Sequence, residues 1–221
     1  MRGSRSSKAW DRAYTNRARL WAGTPPDLLL VRGRGRVLEI GCGDGRLLAA
    51  SSGGQGEVVG IDFSGNALAL CRRNPGLTGR VDLCLADALH LPFSDNSFGA
   101  VLAHHVVGHA DAKGREAIAL EIARVLVPGG VFSFRDFAVG DMREGSGTRV
   151  EEGSYERSGG ILVHYFRIPE IEALFSMLFP IFIRESEWPV RLRGRLASRI
   201  EVEAEFVKRP DPVENPPICP Q

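Results

Sequence analysis

Val37-Leu-Glu-Ile-Gly-Cys-Gly-Asp-Gly-Arg46 decides the fold, because a short, mostly apolar run leads straight into three alternating glycines and then a helical stretch. Gly41, Gly43 and Gly45 can take backbone angles closed to other residues and let a ligand lie against the main chain. The helix that follows offers unpaired N–H groups at its start. Two cofactor classes use such a turn. The dinucleotide fingerprint Gly-x-Gly-x-x-Gly needs its third glycine for close helix packing, and here that position is Arg46. Glu39, two residues before the first glycine, suits a ligand with positive charge and disfavours a pyrophosphate.

Working outward, strand-like runs at 37–40, 58–61, 81–85, 98–103 and 130–136 alternate with helical patterns at 44–51, 65–73 and 112–126. This is the pattern of a mostly parallel sheet covered by helices on both faces. In the last helix Ile118, Ile122, Val125 and Leu126 share one face, and Pro128-Gly129-Gly130 ends it. The final third reads as a helix at 169–178, a strand at 181–187 and an alternating strand at 200–206. In that strand Ile200, Val202, Ala204 and Phe206 are expected to face the core, with the intervening glutamates facing water. Residues 210–221 hold five prolines and read as a loose tail.

The bulk numbers fit one α/β domain: 221 residues, 43% hydrophobic. A net charge of +1 gives no general attraction for nucleic acid or anionic membrane. Cys42, Cys71, Cys84 and Cys219 show neither metal spacing nor a disulfide framework. With no apolar signal core or membrane-length run, a soluble cytoplasmic protein without a bound metal is expected.

Two segments flank this pattern. Between residues 8 and 21, Trp10, Ala13, Tyr14, Ala18 and Trp21 line one helix face. The polar stretch 137–160 carries six glycines and is longer than the roughly 12–15 residues usual for a structureless connection, so it reads as a lid or a disordered loop.

The glycine turn resembles the first motif of the class I S-adenosylmethionine-dependent methyltransferases, and two late strands after five parallel ones match their seven-stranded, Rossmann-like sheet. The resemblance implies S-adenosylmethionine as cofactor. It assigns Glu39, Gly41, Gly43 and Gly45 to the cofactor loop, Asp62 to the ribose hydroxyls and Phe63 to the adenine. Asp87 and Ala88, in Leu85-Ala-Asp-Ala-Leu-His-Leu-Pro-Phe93, would then hold the adenine amino group and ring. His104 and His105 end the fourth strand where the sulfonium would sit, although Gly99 stands where the family usually has an acidic residue. His109 reads as structural.

Trp10-Asp-x-x-Tyr14, Arg135-Asp-Phe137, Gly153-Ser-Tyr-Glu-Arg-Ser-Gly-Gly160, His164-Tyr-Phe-Arg167 and the closing Glu205-Phe-Val-Lys-Arg-Pro210 are together similar to the methyltransferase-like enzymes that make 3-methylcytidine in tRNA. That narrower likeness makes residues 1–35 a helical cover carrying Trp10 and Tyr14 over the cofactor. It makes 36–209 the methyltransferase domain with a substrate-side insertion at 137–160. Asp136 and His104 are the expected catalytic residues, and Arg135, Tyr155, Arg157 and His105 the expected substrate contacts. RNA is then one acceptor class, with Arg32, Arg34, Arg36, Arg191, Arg193, Arg195 and Arg199 as phosphate contacts. A small metabolite or protein acceptor, a non-catalytic cofactor-binding subunit and an NAD-dependent dehydrogenase remain as alternatives.

Overall fold

Val37–Ile40 forms β1, buried at every residue, and pairs in parallel with β2 (Val58–Asp62) on one side and β4 (Phe98–His104) on the other. Strands covered on both faces have no water-facing side, so β1 and β2 read as nearly continuous apolar runs. With β3 (Val81–Leu85), β5 (Leu126–Phe137), β9 (Phe179–Leu192) and β10 (Arg195–Val207), the computed structural model has one seven-stranded sheet of order β3-β2-β1-β4-β5-β10-β9. β9 and β10 are antiparallel and the other pairs are parallel, except where β10 meets β5. Residues 3–16, 34–51, 56–78, 81–192 and 194–210 are described. Trp21, Arg32, Arg193, Cys219 and the tail from 211 lie outside them.

Helices cover both faces because side chains alternate along the strands. Val37, Ala100 and Leu102 pack with Leu47 and Leu48 of α2 (Arg46–Ser51) and Leu68 of α3 (Gly65–Cys71). Leu38, Ile40, Val101 and Ala103 face the opposite cluster, which holds Ile118, Ile122 and Val125 of α4 (Ala112–Val125) and Ile171 of α5 (Ile168–Leu174). Phe132, Phe134, Phe175 and Phe206 are fully buried there with ring centroids 4.8–6.3 Å apart. Each such side chain contributes about 1.5–3 kcal/mol by burial. Asp111 starts α4 by accepting from the Gly114 N–H at 3.0 Å. The strand resumes at Leu126, which pairs with Phe98, so Pro128-Gly129-Gly130 lies within β5 rather than before it.

Two expectations are corrected. The glutamates of β10 do not face water: Glu201 is 6% and Glu205 9% exposed. Strand β5 sets Arg135 beside them, so Glu201 pairs with Arg135 at 3.1 Å and Arg199 at 3.3 Å, and Glu203 pairs with Arg135 and Arg184. The stretch 137–160 is also no structureless connection. It contains β6 (Thr148–Glu151) and β7 (Ser154–Arg157), which with β8 (Ile161–His164) make a second, antiparallel sheet. The glycines that suggested a loop sit at its bends, where Gly147, Gly153 and Gly160 take positive φ. Gly99 has a steric reason: a Cβ there would lie 1.6 Å from the Arg34 carbonyl oxygen, leaving no room for the acidic residue usual at that point.

Candidate functional site

The carboxyl ends of β1, β2 and β4 open into two recesses, of about 300 Å³ and about 80 Å³, that share Gly41, Asp62, Phe63, Val106 and His109 as a common wall. The glycine turn shapes that wall. Gly41, Gly43 and Gly45 all have positive φ, and a Cβ on Gly43 would stand 2.5 Å from the Tyr14 hydroxyl. Asp62 ties the turn to β2, accepting from the Gly43 N–H at 3.0 Å and the Ser64 N–H at 2.8 Å. Burial raises the Asp62 pKa, and these two bonds act against it.

Glu39 lines the smaller recess and is 4% exposed, yet its Oε2 has no hydrogen-bond partner among the described residues. Burial, with the fields of Cys71, Asp62 and Asp44, pushes its pKa well above the usual carboxylate range, against the opposing field of Arg46. An enclosed carboxylate oxygen lacking a partner is costly, and a cation or N–H donor entering the recess would relieve that cost. This acceptor fits the ammonium-bearing end of S-adenosylmethionine. Asp87 and Ala88 line the larger recess, Asp87 bonding the Leu89 N–H at 3.0 Å.

Trp10 and Tyr14 reach the smaller recess from α1 (Gly3–Asn16). That helix is docked on the start of α3: Asp11 accepts from the Ser64 hydroxyl at 2.5 Å and the Asn66 N–H at 3.3 Å, and Asn66 Nδ2 donates to Thr15 at 3.0 Å. Burial, then Asp62, raises the Tyr14 pKa, so the phenol stays protonated.

His104 and His105 both line the smaller recess. His104 Nε2 lies 3.0 Å from the Ser133 hydroxyl, and burial pushes its pKa down to about 3, which keeps the ring neutral. His105 takes a left-handed backbone conformation, φ 56°, uncommon outside glycine. Its ring packs 4.8 Å from Phe137, with Asp136 Oδ1 3.8 Å from Nδ1 and Glu201 Oε1 3.6 Å from Nε2.

The remaining residues singled out from sequence fall elsewhere. Asp136 is fully buried behind His105, accepting from the Gly108 and Phe137 N–H groups, and is not on the recess wall. Arg135 is committed to Glu201 and Glu203. Tyr155 packs on Tyr165, and Arg157 bonds the Tyr165 hydroxyl and the Arg143 carbonyl, away from both recesses. Arg36 pairs with Glu57, and Arg199 with Asp141 and Glu201.

Sequence reasoning missed Arg46 and Val106 as wall residues, and also Glu156 and Leu162, which the small sheet folds over the larger recess. No periodicity signals that last contact, since it joins segments about 50 residues apart. Among the described residues Cys42, Cys71 and Cys84 are free thiols, no cluster suits a metal ion, and no helix is long and apolar enough to cross a membrane.

The strand order, the glycine turn and the acidic residues ending β1 and β2 define a class I, Rossmann-like methyltransferase architecture. Residues 37–130 match the family model described as a methyltransferase domain. The chain is 38% identical over 122 residues to the methyltransferase GfsG of Streptomyces halstedii, covering 53% of this chain and 43% of that one. It is 28% identical over 191 residues to a tRNA N(3)-methylcytidine methyltransferase of Drosophila melanogaster, covering 78% and 58%. The chain thus spans about half the length of these curated relatives. A Methanosarcina mazei protein described as a SAM-dependent methyltransferase superposes with a TM-score of 0.68 at 22% identity, over 85% of this chain and all of that one. One from Anabaena variabilis superposes with a TM-score of 0.70 at 16% identity, over 92% and 95%.

Proposed function

We propose that this chain transfers a methyl group from S-adenosylmethionine to a nitrogen or oxygen nucleophile. The observation that carries the reading is Glu39, an enclosed carboxylate with an unpartnered oxygen beside the glycine turn. Bound there, S-adenosylmethionine supplies an electrophilic methyl group on a sulfonium. The chain's own task is alignment, which accounts for much of the rate in an in-line displacement. Gly41, Gly43 and Gly45 let the cofactor lie against the main chain, Asp62 takes the ribose hydroxyls, Phe63, Asp87 and Ala88 take the adenine, and Trp10 and Tyr14 exclude water. His104 stays neutral on the recess wall. His105 meets the acceptor and Asp136, behind it, sets the ring orientation, so Asp136 acts through His105.

A base nitrogen in tRNA is the acceptor supported by the Drosophila relative, which aligns along most of this chain. In this reading residues 1–35 cover the cofactor, 36–209 form the methyltransferase domain with 137–160 as its insertion, and 210–221 are a tail. The setting is cytoplasmic, where free thiols stay reduced. Calorimetric titration with S-adenosylmethionine and with NAD tests the cofactor: binding of NAD alone overturns the reading. Transfer of labelled methyl into RNA, protein and small-molecule pools tests the acceptor, and label confined to the last two overturns the RNA assignment.

A further inference from the structure

Two polar atoms on the recess walls have no partner above. The indole Nε1 of Trp10 and the imidazole Nε2 of His109 are both enclosed, and neither has a hydrogen-bond partner among the described residues. Their rings meet edge to face, centroids 4.7 Å apart. Enclosed polar groups in native proteins are nearly always paired, so two adjacent exceptions on a cavity wall point to a ligand that satisfies both.

The two groups ask for different partners. Trp10 Nε1 can only donate. The state of His109 is set at the other end of its ring, where Nδ1 lies 2.6 Å from the main-chain oxygen of Leu162. A carbonyl can only accept, so the proton sits on Nδ1 and Nε2 presents a bare lone pair. Burial lowers the His109 pKa, which keeps the ring in that neutral form. Leu162 belongs to β8, so the small sheet selects the tautomer from 53 residues away.

Position then separates the ligand groups they face. His109 lies on the wall common to both recesses, beside Asp62, whereas Trp10 lines only the smaller recess, with Glu39 and Arg46. Resting on the S-adenosylmethionine reading above, we propose that His109 is a cofactor-binding residue whose Nε2 accepts from a ribose hydroxyl. Trp10 Nε1 donates to the carboxylate of the methionine moiety, and the two side chains clasp the cofactor between the domain and α1.

S-adenosylhomocysteine and 5′-methylthioadenosine test this by calorimetry, since the second keeps the ribose and lacks the amino-acid moiety. His109→Leu should weaken both about three- to tenfold, the loss of one hydrogen bond, and His109→Gln, which keeps an acceptor, should lose less. Trp10→Phe should weaken S-adenosylhomocysteine by a similar factor and leave 5′-methylthioadenosine unchanged. Circular dichroism confirms that each variant is folded. In the wild-type protein, long-range proton–nitrogen NMR should find the proton on Nδ1, and the Nε2 resonance should shift when either compound binds. Full affinity in folded variants, an Nε2–H tautomer or an unmoved Nε2 resonance overturns the clasp alone. A through-bond coupling between Trp10 Nε1–H and His109 Nε2 in the ligand-free protein also overturns it, because the two rings then satisfy each other. A wild-type protein that binds neither compound overturns the S-adenosylmethionine reading itself.

Discussion

Replacing Glu39 with glutamine should change stability and cofactor affinity in opposite directions. The substitution is nearly isosteric at a position 4% exposed, so packing is kept and only the charge is removed. Glu39 has a raised pKa in the folded state, first through burial and then through neighbouring acidic groups. The sign follows. Below the unfolded glutamate pKa, about 4.3, the side chain is neutral in both states and costs the fold little. As pH rises towards the folded value, the unfolded chain releases its proton first and the fold is destabilised. Glu39→Gln lacks this slope. At neutral pH, without ligand, it should be more stable by about 1 kcal/mol, because a neutral unpaired group costs less to enclose than a charged one. For a chain of this size that is an upward shift of roughly 2–4 °C in Tm. The same change removes a charge-assisted hydrogen bond to the cofactor, about 1.5–3 kcal/mol, or roughly 10- to 150-fold in Kd. With S-adenosylmethionine at 100 times the wild-type Kd, wild type gains about 2.7 kcal/mol and the variant about 0.3–1.4 kcal/mol. The order of melting temperatures should therefore reverse on adding ligand. Thermal melts with and without S-adenosylmethionine, paired with calorimetry, measure both. A variant less stable than wild type without ligand, or one with wild-type affinity, refutes the reasoning.

Gly43→Ala places a side chain at φ 55° and 2.5 Å from the Tyr14 hydroxyl; it should cost about 1–2 kcal/mol for the left-handed backbone alone and weaken S-adenosylmethionine binding, as denaturant melts and titration would show. Arg115 is buried and holds Glu151 at 2.7 Å and Glu170 at 3.6 Å, joining α4 to the small sheet. Arg115→Met should cost roughly 3 kcal/mol. Burial raises the pKa of both glutamates, but Arg115 and Ser154 at Glu151, and His164 and Arg115 at Glu170, outweigh it and the net shift is downward. Wild type should therefore keep this stability above about pH 4.3 and lose it as pH falls through the lower folded values, while Arg115→Met shows a flatter acid limb in melts against pH. His105→Gly relieves the left-handed backbone but removes the ring beside buried Asp136 and Phe137, so Tm should fall, while methyl transfer into the responding pool falls roughly 100-fold. Added imidazole should restore part of the rate, and unchanged transfer would remove His105 from the acceptor side.

Most of the smaller recess was legible from local sequence. The glycines at 41, 43 and 45 need positive φ, and their neighbours Glu39 and Asp62 sit at strand ends whose places the apolar runs announce. The parallel core was legible because a strand buried on both faces leaves a continuous apolar signature. The alternation in β10 was misleading in one respect: Glu201 and Glu205 alternate with apolar residues and are still enclosed, Glu201 with Arg135 and Arg199 as counter-charges from partners in space, and Glu205 with its pKa raised by burial.

What the sequence determined by itself was the α/β class, the strand succession and the glycine turn, all governed by interactions within about ten residues. Tertiary structure alone decided which side chains meet across long separations. It put Asp136 behind His105 rather than on the wall, committed Arg135 to glutamates 66 and 68 residues later in the chain, and folded the glycine-rich stretch into a sheet whose Leu162 carbonyl sets the proton on His109. Hydrogen bonds and ion pairs of that kind depend on the register of strands distant in sequence, and no local pattern of residue types encodes it.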